Sequence, residues 1–110
     1  MVTTIFQIEH EVPWQDADPK IERQVYGYNE EIMMVKVKFE KGGIGSVHKH
    51  PHTQVSYVES GEFELTIGDY KKILRKGDGY FVPPDVLHGC VCLEAGMLID
   101  CFTPMRADFV

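Results

Sequence analysis

The chain has 110 residues and reads as a single domain, because a chain of this length closes one hydrophobic core but not two. Seventeen acidic against eleven basic residues give a net charge of -6, which argues against a nucleic-acid backbone or an anionic membrane surface as principal partner. The opening MVTTIFQIEHEVPW lacks a basic segment followed by an apolar run. No apolar stretch reaches the ~18 residues that span a bilayer, so the expectation is a cytoplasmic protein without a membrane partner.

Residues 1–20, with Pro13, Pro19 and the acidic DAD at Asp16–Asp18, read as an irregular lead-in packed through Phe6 and Trp14. From residue 21 the period is two. Met33, Val35, Val37 and Phe39 alternate with Met34, Lys36 and Lys38, and Phe63, Leu65 and Ile67 alternate with Glu62, Glu64 and Thr66, the pattern of half-buried strands. Turn signals at KGGIG, Gly61, GDY, KGDG and PPD separate the runs, and no helical stripe appears after residue 20. Residues 21–110 therefore form one all-β domain, an antiparallel sandwich, barrel or jelly roll.

The last strand, GMLIDCFTP, places Leu98, Asp100 and Phe102 on one face and Met97, Ile99 and Cys101 on the other. Two largely apolar faces imply cover on both sides, by a second sheet or a second subunit, and a homodimer is expected. Cys90, Cys92 and Cys101 are an odd set without C-x-x-C spacing, so they read as reduced, partly buried thiols rather than a disulfide framework or a zinc site.

Three of the five histidines fall in HKHPHTQ. On a strand His48 and His50 would share a face about 6.5–7 Å apart, close enough to converge on one ion. Gln54 joins them if Pro51–Thr53 bends the chain, and His88 in GDGYFVPPDVLHGCVC can reach the same cavity in a closed β fold. His52 reads as a supporting or exposed residue rather than a ligand, and His10 carries no signal.

These spacings resemble the cupin family. Gly42, His48, His50, Gln54 and Gly61 fit its first motif, with glutamine where glutamate is usual. Gly77, Pro83 and His88 fit its second, with Asp85 in place of a glycine and Cys92 in place of an asparagine. The resemblance implies a small jelly-roll barrel holding one divalent metal ion on His48, His50, Gln54 and His88. Nitrogen and oxygen ligands suit zinc, nickel, manganese, cobalt or iron. A neutral glutamine leaves the ion's charge uncompensated, which favours an anionic partner and Lewis-acid chemistry.

Asp100 is costly on an apolar strand unless paired or used. It is a candidate general acid or base, and a structural salt bridge with Arg106 is the other reading. Arg106 is either a carboxylate clamp or a solvated tail residue. Phe102 is either core packing or a platform for a sugar ring. HKHPHTQ, GEFELTIGD, GDGYFVPPDVLHG and EAGMLIDCFTPMRADF together resemble pectin-degradation cupins of the KdgF type over most of residues 21–110. Leu87 stands where that type usually has proline. The resemblance implies non-redox conversion of 4,5-unsaturated uronate monosaccharides, from pectin or alginate breakdown, to their linear keto form. It implies Asp100 as proton-transfer residue and Phe102 and Arg106 as contacts to a small anionic sugar. A metal-dependent dioxygenase and a non-catalytic sugar-binding module are the competing readings.

Overall fold

The computed structural model describes residues 3–110 as eight antiparallel strands and two short 3-10 turns. The strands are β1 (Gln15–Asp18), β2 (Ile21–Tyr28), β3 (Met33–Phe39), β4 (Ile44–His48), β5 (Thr53–Ile67), β6 (Tyr70–Arg75), β7 (Gly79–Val82) and β8 (His88–Thr103). Their order is β1-β2-β3-β8-β5-β6, with β4 also on β8 and β7 also on β5. The sheet does not close into a ring, and the fold is all-β and antiparallel, in keeping with the expected jelly roll.

The two long central strands each serve both halves of the fold. The second half of β8 pairs with β3 and the first half of β5, while its first half pairs with β4 and the second half of β5. Gly61 and Gly96 mark the crossing. A Cβ on Gly96 would lie 2.1 Å from the Ser60 carbonyl oxygen, and one on Gly61, at φ +82°, would lie 2.5 Å from that of Glu94. Only glycine permits so close a backbone approach. Gly61 is therefore a bend inside one continuous strand rather than the turn between two strands expected from its neighbours.

The alternating residues build the interior as the period-two pattern dictates. Ile21, Phe39, Val58, Phe63, Leu65, Leu74, Cys92 and Leu98 form one buried cluster, and Met33, Val35 and Phe102 a second. Burying a side chain of this size contributes roughly 1.5–3 kcal/mol, so two such clusters stabilise a single small domain. Register sets the inner face in rows. Met33, Phe102, Gln54 and Val82 lie abreast, and Val35, Asp100, Ser56 and Tyr80 form the next row. Gln54 and Ser56 of β5 and Asp100 of β8 thus interrupt a largely apolar face at one end of the fold.

The lead-in is more ordered than its composition indicates, although its first two residues lie outside those described. Asp16 and Gln15 pair with Glu22 and Arg23, making β1 an edge strand. Phe6 stays 79% exposed, so it does not pack the lead-in onto the domain. Gln24 does: it is fully buried, and its amide donates to the Glu9 and Val12 carbonyls. Trp14 lies over the Lys38 ammonium, 4.5 Å from ring centroid to Nζ. All three cysteines are free, and burial raises the Cys90 thiol pKa to about 12, which leaves it unreactive at neutral pH. The outward row Met34, Cys101, Val55 and Phe81 runs across four strands, and Met34, Val55 and Phe81 are each more than 40% exposed. No helix among the described residues is long and apolar enough to cross a membrane.

Candidate metal centre

His48 ends β4 and faces His88, the first residue of β8, across the ladder. His50 lies beyond the strand end, so it joins the cluster through the loop and not through the shared strand face expected for a His-x-His pair. The Asp85 N–H donates to the His50 carbonyl at 2.8 Å and pins that loop to the β7–β8 turn. Asp85 has φ +62°. This left-handed conformation accounts for the glycine common in the motif, and aspartate is among the few other residues that tolerate it.

One potential ligand atom from each of His48, His50 and His88 lies within 4.8 Å of the others. The Nδ1 atoms of His48 and His88 sit 2.8 and 2.9 Å from the Ser46 and Val86 carbonyl oxygens. A carbonyl only accepts, so both Nδ1 atoms carry the proton and both Nε2 lone pairs are free for the cavity. Leu87 leaves this anchoring intact. Burial lowers the pKa of His50, and burial lowers that of His88 to about 4, which keeps both imidazoles in the neutral, ligating form.

Gln54 completes the set. Its Oε1 lies 2.9 Å from His50 Nε2, and its amide nitrogen donates to Ser56 Oγ at 3.0 Å. His50 Nδ1 is buried without a hydrogen-bond partner. Three imidazoles and one amide oxygen converging in this way fit a divalent cation of the borderline class. His52 stands outside the group. Its Nε2 meets the Met105 carbonyl oxygen at 3.1 Å, tying the loop to the segment that carries Arg106.

Asp100 faces the same cavity, and the hydroxyl of Ser56 donates to its Oδ1 at 2.6 Å. Burial raises its pKa to about 6, against the opposing pull of that hydrogen bond and of Arg106. The expected alternative of a structural Asp100–Arg106 salt bridge does not describe the pairing, because Arg106 forks onto Asp108 at 2.9 and 3.1 Å. That pairing uses two of five guanidinium N–H groups and leaves three. Phe102 is only 3% exposed. It packs edge-on against His50 and Phe109, at 5.7 and 5.9 Å between centroids, so it backs the site more than it offers a face to it.

These side chains line a cavity of about 360 Å³ shared by His48, Gln54, His88, Asp100 and Arg106. A larger groove, about 900 Å³, lies between Asp16–Glu22 and Lys38–Lys41. It gathers no convergent ligand set, so chemistry rather than volume selects the smaller one. Three residues escaped sequence reasoning: Arg23 and Tyr80, which line the cavity, and Ser56, which lies behind it against Gln54 and Asp100. Ser56 and Tyr80 sit in the Asp100 row by register alone, and Arg23 stacks on Phe109 at 3.8 Å while Arg106 lies over the same ring at 4.3 Å.

Residues 35–99 match the family model described as "Cupin domain", more than half of the chain. The protein is a cupin. This cupin is 45% identical to the pectin degradation protein KdgF of Dickeya dadantii over 105 residues, covering 94% of this chain and 96% of that protein. Its fold superposes on KdgF from a Halomonas species with a TM-score of 0.93 at 39% identity, over 98% of this chain and all of the other. It superposes on an RmlC-like cupin from Shewanella frigidimarina with a TM-score of 0.97 at 45% identity, over 99% and 98% of the two chains. The cupin thus resembles the pectin-degradation proteins over nearly its full length.

Proposed function

We propose that this cupin is an isomerase-type enzyme that converts a 4,5-unsaturated uronate monosaccharide to its linear keto form without redox chemistry. One observation carries the reading: a carboxylate with a pKa near 6 and a guanidinium with free donors share a single small cavity with His48, Gln54 and His88, and His50 closes the three-imidazole cluster behind it. The likeness to KdgF supplies the substrate class.

Arg106 binds the sugar carboxylate through the N–H groups that Asp108 leaves free, and Arg23 adds a second positive charge to the cavity lining. His48, His50, Gln54 and His88 would hold a divalent ion, which when bound supplies Lewis-acid polarisation of a sugar oxygen. Asp100 accepts the proton of the anomeric hydroxyl as the bond from C1 to the ring oxygen breaks, giving the C1 aldehyde. The bonding pair stays on the ring oxygen, now an enolate oxygen on C5. Delivery of the proton from Asp100 to C4 then gives the C5 ketone, so the atoms of the sugar are conserved and no electron acceptor is required. Asp100, with a pKa of about 6, is suited to both halves of this relay at neutral pH.

The test is the loss of ultraviolet absorbance of a purified 4,5-unsaturated uronate, with metal-replete and chelator-treated protein, against spontaneous opening. Metal-dependent acceleration that persists without oxygen supports the reading. Bound metal with no acceleration refutes it, and activity that needs oxygen points instead to a dioxygenase. We also propose a homodimer in which the outward row Met34–Cys101–Val55–Phe81 is covered by a second copy. A monomeric mass by light scattering at micromolar concentration would refute it.

A further inference from the structure

The hydrogen bonds from His50 to Asp100 have a direction, and that direction bears on which residue can stand at position 54. Ser56 is 4% exposed and touches both Gln54 and Asp100. Its hydroxyl has one proton. Given to Asp100 Oδ1 at 2.6 Å, that proton is not available to Gln54, so Ser56 Oγ can only accept from that side. The group facing it must then be the amide N–H, which leaves Oε1 turned to His50 and the cavity, 2.9 Å from Nε2.

We infer that Ser56 is a positioning residue: its hydroxyl, committed to Asp100, locks the Gln54 amide with its oxygen toward the three histidines and makes glutamine rather than glutamate the residue that fits there. The inference rests on reading the histidine cluster as a metal centre. With glutamate at position 54 the line would read carboxylate, hydroxyl, carboxylate. Two anions would then face each other across a buried row whose donors are the Ser56 hydroxyl and the Tyr80 phenol bonded to it, too few to satisfy two carboxylates. The usual cupin glutamate is thereby excluded by a residue two strand positions along and by another on the neighbouring strand. Reversing the polarity restores the line: with Gln54→Glu and Asp100→Asn together, the new amide at 100 donates to Ser56 and Ser56 donates to the new carboxylate.

Two measurements test this, neither reading sugar turnover, so failure of the proposed reaction does not register in them. The first is Co2+ affinity by absorbance titration. Ser56→Ala is expected to weaken binding by about tenfold, as loss of a ligand's hydrogen-bond partner typically does, and to alter the cobalt visible spectrum because the amide no longer holds its oxygen inward. The second is the melting temperature of chelated protein. Gln54→Glu is expected to lower it by roughly 5 °C, and the Gln54→Glu/Asp100→Asn double variant to recover most of that loss. Wild-type cobalt affinity and spectrum in Ser56→Ala, or a double variant no more stable than Gln54→Glu, would overturn the proposal. A wild-type protein that takes up no Co2+ would overturn the metal reading itself, and with it the ligand role of Gln54.

Discussion

The cavity contains two kinds of buried titratable group whose effects on stability oppose each other, and replacing Asp100 separates them. Asp100 rises from 3.8 to about 6 because burial penalises its charge. Between those values the folded state binds more protons than the unfolded state, so this group makes stability fall as pH rises. Roughly two pKa units correspond to about 3 kcal/mol lost between pH 4 and 6. His88 falls from 6.5 to about 4, again through burial. There the unfolded chain binds the extra proton, and stability rises with pH over the same range by a similar amount, about 3 kcal/mol. His50 shifts in the same direction as His88 and adds to the rise. The metal-free wild-type protein should therefore show a shallow profile from pH 4 to 6.5, whereas Asp100→Asn should uncover the histidine slope and gain stability steadily across it. Urea denaturation of chelated protein at four or five pH values reads both curves. The informative quantity is their difference, because groups common to both cancel. Parallel curves would refute the reasoning, since they would mean that Asp100 carries no raised pKa in the folded protein.

At neutral pH, with metal bound, Asp100→Asn should keep the fold and the ion while turnover of the unsaturated uronate falls by about 10²–10⁴-fold, the usual worth of a positioned acid–base group; wild-type turnover would remove Asp100 from the mechanism. Arg106→Met should raise KM for the uronate at least tenfold with a smaller change in kcat, reflecting lost carboxylate binding, as steady-state kinetics would show. Gly96→Ala should fail to give soluble folded protein or lower the melting temperature by more than 10 °C, because its Cβ would sit 2.1 Å from a backbone oxygen. A thermal melt of purified protein decides that point.

Alternation made the strands legible: Met33 to Phe39 and Phe63 to Ile67 lie where the period of two places them. Motif spacing made the cluster legible: the potential ligand atoms of His48, His50 and His88 lie within 4.8 Å of one another, and Gln54 lies against His50. Features set by long-range register were not legible. Gly61 resembles a turn residue locally, and only its meeting with Gly96, thirty-five positions away, makes it a crossing point. Ser56 is an unremarked polar residue until β5 is laid beside β8, where it falls opposite Asp100. The lead-in misled for a related reason. Its prolines and acidic residues signal a loop, yet Gln15 and Asp16 gain order by pairing with β2, a tertiary contact that overrides local propensity.

The distribution of charge bears on the proposed binding of an acid by a protein of net charge -6. The candidate ligand set carries no carboxylate: burial holds His50 and His88 uncharged, and an amide stands where a carboxylate is usual. Asp100 is an anion of the inner row, while the Arg106 and Arg23 guanidiniums both lie over the Phe109 ring in the cavity lining. Any divalent ion bound there adds two positive charges that the ligands do not offset, and the cavity becomes locally cationic inside an acidic molecule. A glutamate at position 54 would cancel half of that charge, so the polarity fixed by Ser56 and Asp100 also sets the sign of the ligand the site can hold. The same two residues thereby connect how the strands register to what the cavity can bind.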